Sequence, residues 1–239
     1  LKENNLKKLL FLVPARGGSK GIINKNIAPL DGIPLISYVL KTIQHAVKEI
    51  NNFQCRLIVS SDNDQIKKFS KTYMAEVPFT RPEKLSDDKS KSIDVVFHAL
   101  EWLAKNESYK PNSIALIQPT SPFIIKQDIL NALSMHQKEN RPIVSVVKNS
   151  HPIEWNFHVN NHKIEPIFEK NTINRRQDSI NSYHLNGAIY ISHTKDLLKY
   201  KSFLNNQTYA YVMPFERSID IDTPFDLEQA EFMIKKRNR

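Results

Sequence analysis

The sequence predicts an α/β domain: a mainly parallel sheet with helices on both faces, interrupted once by a small inserted sub-domain. Three observations carry that reading. Short β-rich apolar runs alternate with longer stretches of helical period. The alternation stops after Val147 and resumes at Ala188. Three of the five glycines cluster directly behind the first apolar run. Alternation of this kind implies parallel strands whose helical crossovers cover both faces.

Taken in order, the apolar run at 9–13 is too short for a signal peptide, and Pro14-Ala15-Arg16 ends it. It predicts a first strand. Further strands are expected over 56–59, 114–117, 143–147, 188–191 and 209–213. Helices are expected over 34–50, 64–73, 92–105 and 127–138, with a closing helix over 224–236. In the third, Ile93, Val96, Phe97, Leu100 and Leu103 make one apolar face at 3.6 period. Pro34 suits a first helical turn, where its missing N–H costs nothing. Between 151 and 184 the chain is polar, with β-like pieces around 155–157 and 163–164. Because Trp155, Phe157 and Phe168 need burial, this stretch is expected to be an ordered insertion. The main domain then covers 1–147 and 185–239, and the insertion 148–184.

At 239 residues, 40% of them hydrophobic, the chain is long enough for one real core. No window approaches the length of a membrane span, so a soluble protein with no membrane partner is expected. The single cysteine, Cys55, excludes an internal disulfide framework and fits a reducing cytoplasm. It abuts the apolar residues 57–59 and reads as a bystander at the start of a strand. The net charge of +9 attracts any polyanion. No zinc-ligand cluster, RNP-type aromatic signature or basic heptad helix accompanies it, so no nucleic-acid partner is expected.

The glycine cluster lies in Pro14-Ala15-Arg16-Gly17-Gly18-Ser19-Lys20-Gly21. Glycine permits φ > 0 and lets backbone N–H groups approach an anion. Arg16, Lys20 and Lys25 add three cations, and together they suit a triphosphate. Neither the Walker A order nor the G-x-G-x-x-G spacing is present. A solvated turn is the plain alternative. The position behind the first strand favours ligand contact, since ligands on parallel sheets bind at the carboxyl ends of strands.

Near the other end, Asp220 and Asp222 stand two residues apart in Ser218-Ile219-Asp220-Ile221-Asp222-Thr223-Pro224. On an extended segment they share one face. Two such carboxylates repel unless a cation lies between them, and hard oxygen ligands suit Mg²⁺. Equally, Asp222 could cap the last helix and Asp220 could sit on a solvated edge.

Taken together these residues resemble the acylneuraminate cytidylyltransferase family, the CMP-sialic acid synthetases, with CMP-legionaminic acid synthetases as close relatives. The matching stretches are 14–26, Ile58-Val59-Ser60-Ser61-Asp62, Thr80-Arg81-Pro82-Glu83-Lys84-Leu85, Gln118-Pro119-Thr120-Ser121-Pro122, Asn186-Gly187-Ala188-Ile189-Tyr190-Ile191 and Asp220-Ile221-Asp222-Thr223. They run in the family's order over nearly the whole chain. The resemblance implies a Rossmann-like fold and transfer of CMP from CTP to the anomeric hydroxyl of a nine-carbon sugar acid, with release of pyrophosphate. It implies that Arg16, Lys20 and Lys25 grip the CTP phosphates beside Gly18, and that Asn26 and Ser92 hold the ribose. Arg81 and the Ala15 backbone would read cytosine. Gln118, Arg176, His184, Asn186 and Tyr190 would form the sugar site, and Asp220 and Asp222 would carry Mg²⁺. The insertion would be a dimerisation sub-domain of a homodimer.

One departure bears on the sugar. Several sialate-activating members carry an arginine two positions before the Asn-Gly-Ala run, where this sequence has His184. A neutral histidine contacts a carboxylate or acyl group differently from a permanent cation. Phe203-Leu204 could contribute to the sugar pocket or simply pack. N-acylneuraminate and legionaminate both fit, and the sialate-like stretches disfavour pseudaminate. Rival readings are a cytidylyltransferase for 3-deoxy-manno-octulosonate, a basic RNA-binding module, and an inactive interaction protein.

Overall fold

Strand β1 (Lys7–Pro14) is the hub of the fold, and its alternating side chains divide the core in two. Leu9, Phe11 and Val13 point to one face, where helices α1 (Leu35–Val47) and α4 (Lys126–Glu139) cover them. Leu10 and Leu12 point to the other, against Val96, Ala99, Leu100 and Leu103 of α3 (Ser92–Glu107). Burial of each such side chain contributes on the order of 2 kcal/mol, so a strand lined on both faces anchors two helical layers at once. The computed structural model describes residues 6–87, 90–168 and 180–237.

Six strands form the main sheet in the order β10-β6-β9-β5-β1-β4. They are β4 (Phe53–Ser60), β5 (Ser113–Ile117), β6 (Ile143–Lys148), β9 (Tyr183–His193) and β10 (Tyr209–Met213) beside β1. The pairs of β1 with β4, β1 with β5 and β6 with β10 are parallel. Strand β9 runs antiparallel to both neighbours. The sheet is therefore mainly parallel with helices on both faces, as the alternation predicts, and one reversed strand lies inside it.

Helix α2 (Asp64–Thr72) starts at Asn63, whose Oδ1 accepts the Gln65 and Ile66 N–H groups at 2.9 and 3.1 Å. Pro34 is placed differently from expectation. It belongs to a two-residue ladder of β2 (Pro29–Leu30) with β3 (Ile33–Pro34), keeps extended ψ and precedes α1. A short helix, α5 (Thr194–Tyr200), follows β9 and was not anticipated. Helix α6 (Pro224–Arg237) closes the chain. Among the described residues no helix is long and apolar enough to cross a membrane.

The chain leaves the sheet at the end of β6 and rejoins it at β9. In between it forms a hairpin of β7 (Phe157–Asn160) with β8 (Lys163–Pro166). The expected burial of Trp155, Phe157 and Phe168 does not occur among the described residues: all three are exposed, with Val159 and Ile164. A two-stranded ribbon has no second layer of its own to cover them.

Candidate active site

The carboxyl ends of β1 and β5 open onto a cleft of about 310 Å³. Its walls include Arg16, Lys25, Asn26, Arg81, Ser92, Gln118, Tyr190, Asp220 and Asp222. Residues from both ends of the sequence thus meet where parallel strands leave unpaired ends, the place such sheets reserve for ligands.

The loop behind β1 is shaped by close approach, not by φ. None of Gly17, Gly18 and Gly21 uses the positive φ that glycine permits. A Cβ on Gly17 would meet the Asn63 side chain at 2.8 Å, and one on Gly21 would meet the Asp222 carbonyl oxygen at 2.3 Å. The space beside Gly18 is open. Asp62, at the end of the Ser60-Ser61-Asp62 stretch, accepts the Gly17 N–H at 2.9 Å and pins the loop to the turn after β4. Its role was not foreseen, although it stands directly behind a predicted strand.

Arg81 is buried, and its guanidinium donates to the Ser60 hydroxyl at 3.1 Å and to the Ser60 carbonyl. Burial lowers its pKa to about 10, against the pull of Asp62, so it remains charged at neutral pH. Asn26 donates to the Arg16 carbonyl at 2.9 Å, while its own Oδ1 is buried without a protein partner. A buried, unsatisfied acceptor costs free energy, and in a cleft wall it is suited to a ligand hydroxyl. Gln118 reaches the Ser92 hydroxyl at 3.3 Å.

The aspartates occupy the opposite wall. Lys25 Nζ lies 2.6 Å from Asp222 Oδ1. Capping of α6 falls to Thr223 and Asp226: the Asp226 carboxylate accepts the Thr223 N–H at 2.7 Å and the Asp222 N–H at 3.1 Å, and Thr223 Oγ1 accepts the Asp226 N–H at 3.3 Å. The Asp222 side chain is therefore not the cap. Asp220 is accessible from the cleft but crowded by protein. Loss of water raises its pKa, Asp222 adds to the rise, and a hydrogen bond from Thr120 and the charge of Lys25 oppose it. Gly187, at φ +77°, brings the β9 backbone to this carboxylate, since a Cβ there would lie 3.4 Å from Asp220 Oδ2. Thr120 was missed in the sequence, being hidden in the Gln118-Pro119-Thr120 stretch.

Several expected site residues stand elsewhere. Ala15 is buried, and its N–H is taken by the Ser60 carbonyl at 2.9 Å. Lys20 and Gly18 lie on the exposed outer part of the loop and do not line the cleft. Asn186 is buried: its Oδ1 accepts from the Ser145 hydroxyl at 2.6 Å and its Nδ2 donates to the Ser218 hydroxyl at 2.9 Å. Both ends of its amide are taken by protein partners, and it does not line the cleft. His184 is exposed, with its ring 2.6 Å from Asn149 Oδ1, and is not a cleft residue. The irregularity of β9 explains both. Val144 pairs with Tyr190 but Val146 pairs with Leu185, so the strict two-residue alternation fails between 184 and 190. Arg176 lies outside the described residues.

Two carboxylates in a cation-rich cleft fit a hard divalent ion that keeps its remaining positions for phosphate oxygen or water. Among the described residues no group of three or more His, Cys, Asp or Glu gathers that could hold a metal by itself.

Comparison with known proteins adds to this geometry. A family model described as cytidylyltransferase matches residues 10–237. The N-acylneuraminate cytidylyltransferase of Escherichia coli O18:K1:H7 is 33% identical over 234 residues, 97% of this chain and 53% of that protein. The chain thus spans about half the length of that relative. The pseudaminic acid cytidylyltransferase of Campylobacter jejuni serotype O:2 is 32% identical over 231 residues, 95% of this chain and 97% of its own. The CMP-N,N'-diacetyllegionaminic acid synthase of Legionella pneumophila is 32% identical over 235 residues, with the same two coverages. Pseudaminic relatives are thus as similar as legionaminic ones, and overall identity does not separate the sugars. A CMP:2-keto-3-deoxy-manno-octonic acid synthetase solved with CTP superposes with a TM-score of 0.69 at 14% identity, covering 97% of this chain and all of that one, a likeness of fold.

Proposed function

Because the chain belongs to the cytidylyltransferase family, matched over residues 10–237, we propose that it transfers CMP from CTP to the anomeric hydroxyl of a nonulosonic acid. The observation that carries this reading is the meeting of Arg16 and Lys25 with Asp220 and Asp222 in one cleft. Cations there suit a polyphosphate, and the aspartates would hold Mg²⁺ against it. A concave site holding both charges suits a compact nucleotide better than a nucleic-acid backbone.

In this mechanism the anomeric oxygen bonds to the α-phosphorus of CTP and the bond from that phosphorus to the bridging oxygen breaks. Pyrophosphate leaves, and the hydroxyl proton passes to solvent. Negative charge grows on the transferring oxygens, and Arg16 and Lys25 face that charge from a fixed wall. Asn26, with its unpaired Oδ1, accepts a ribose hydroxyl. Arg81, held rigid by Ser60, presents its guanidinium at the base end. When bound, Mg²⁺ would neutralise phosphate charge. Gln118 and Tyr190 would orient the sugar acid, with Arg176 and the Phe203-Leu204 wall as further candidates.

We also read the protein as a cytoplasmic homodimer. The exposed apolar hairpin supports the dimer, because Val159 and Ile164 form a cross-strand pair with no cover among the described residues. The single cysteine, Cys55, is the feature that supports a reducing compartment.

The test is pyrophosphate release from CTP with Mg²⁺ and, in parallel, N-acetylneuraminic, legionaminic, pseudaminic and 3-deoxy-octulosonic acids. Release with a nine-carbon acid is expected. Release only with the eight-carbon acid would replace the substrate class, and silence with all four would remove the activity.

A further inference from the structure

Outside the cleft, one buried carboxylate is linked to the acidic wall through the chain. Asp128, in the first turn of α4, is 1% exposed. Its oxygens accept four hydrogen bonds: Arg217 Nε at 2.9 Å, Arg217 Nη2 at 2.8 Å, the Tyr211 hydroxyl at 3.0 Å and the Ile125 N–H at 3.0 Å. The Arg217 contact is bidentate, so it fixes orientation as well as position. Arg217 ends the turn after β10, three residues before Asp220.

The segment from Arg217 to Asp222 is fixed at intervals. Ser218 Oγ accepts from Asn186 at 2.9 Å. The Ile221 N–H donates to the Thr120 carbonyl at 2.9 Å, and the Ile221 side chain is fully buried. The Asp222 N–H is held by Asp226. Asp220 therefore hangs between anchors on either side, and the Arg217–Asp128 pair is the most directional of them. An ion pair buried on its Asp128 side adds little stability that apolar packing would not supply. Its distinctive contribution is geometric.

We infer that Asp128 and Arg217 are positioning residues for the acidic wall: their ion pair sets the main chain that presents Asp220 and Asp222 to a divalent cation. The inference rests on the nucleotidyl-transfer reading of the cleft. Neither residue lines the cleft, and the effect runs through three residues of backbone.

The test uses Mn²⁺ as probe, with free Mn²⁺ followed by electron paramagnetic resonance in the presence of CTP, on the full chain. Asp128→Asn keeps the shape and removes the charge, while Arg217→Lys keeps the charge and removes the fork. Each is expected to weaken Mn²⁺ binding roughly tenfold, as loss of supporting contacts around metal ligands does. Turnover is expected to recover at high metal concentration. Arg56→Met serves as the stability control, because it removes the ion pairs that Arg56 of β4 makes with Glu76 and Glu107, away from the cleft. It is expected to lower the melting temperature and leave Mn²⁺ affinity native. Native Mn²⁺ affinity in both Asp128→Asn and Arg217→Lys, from protein that releases pyrophosphate normally, would overturn this inference alone. A native chain without Mn²⁺ binding or pyrophosphate release would overturn the functional reading and this inference with it.

Discussion

Gly21 lies against the main chain of Asp222 so closely that a Cβ on the glycine would stand 2.3 Å from the aspartate's carbonyl oxygen. The contact joins the basic loop to the acidic wall, backbone to backbone. A neighbouring side chain could turn aside, but a carbonyl in a capped segment cannot.

Gly21→Ala is therefore expected to push the loop off the wall. A misplacement near 1 Å can cost about a hundredfold in rate, and kcat/KM for CTP should fall by about that factor. Circular dichroism should stay native. Steady-state kinetics at native-like activity would show that the loop adjusts freely and that the contact has no functional weight.

Asp222→Ala should lower turnover at saturating CTP by roughly two orders of magnitude or more, the range seen when one group facing transition-state charge is removed. The fold should be unaffected, because Thr223 and Asp226 cap α6 without this carboxylate. Turnover close to native would sink the metal assignment.

Arg81→Lys should raise KM for CTP roughly tenfold and narrow the preference for CTP over UTP, because a lysine cannot reproduce a planar fork held by Ser60. Comparing the two nucleotides in the same assay checks it. An unchanged CTP to UTP ratio would remove Arg81 from base recognition.

Stability should fall with pH below neutrality through His136. This ring is fully buried; it meets Ser113 Oγ at 3.0 Å and the Arg141 carbonyl at 2.6 Å. Burial lowers its pKa to about 4; His193 and Lys7 add to the fall, while the Arg141 carbonyl and Asp196 oppose it. The unfolded ring binds a proton near 6.5, so between these values the unfolded chain holds more protons. Stability is then lost as pH falls from 6.5 toward 4, by at most about 3 kcal/mol. Urea midpoints should decline from pH 7 to pH 5, and His136→Gln should flatten the decline. An equally steep decline in that variant would place the effect on other groups.

Val159→Lys combined with Ile164→Lys should halve the sedimenting mass while leaving the main domain folded. Like charges directly opposite on a ribbon disfavour any apolar partner. A native chain that is already monomeric at micromolar concentration would refute the dimer.

The sheet was legible because its central strands are buried on both faces and read as continuous apolar runs, as at 114–117 and 143–147. Strand β9 was legible only over 188–191, since Tyr183, His184 and Leu185 are exposed and its irregularity at Gly187 breaks the periodicity. The same irregularity hid the fact that Asn186 turns inward and His184 does not reach the cleft. Arg16, Lys25 and the aspartates could be read because charge beside glycine or charge paired with charge is a local signal. Asp62, Thr120 and Asp128 could not, because the partners that give each its place, Gly17, Asp220 and Arg217, lie far away in sequence.

Lys25 and Asp222 touch although 197 residues separate them. Closing so long a loop is an entropic burden that local structure cannot relieve. The two halves of the cleft consequently have no means of meeting in a partly made or partly folded chain. Under the proposed reading, the basic half of the cleft emerges early in synthesis and meets the acidic half only once the chain as far as Asp222 has followed. A product truncated before Asp220 would lack the acidic wall, and on that reading it is expected to turn over no nucleotide.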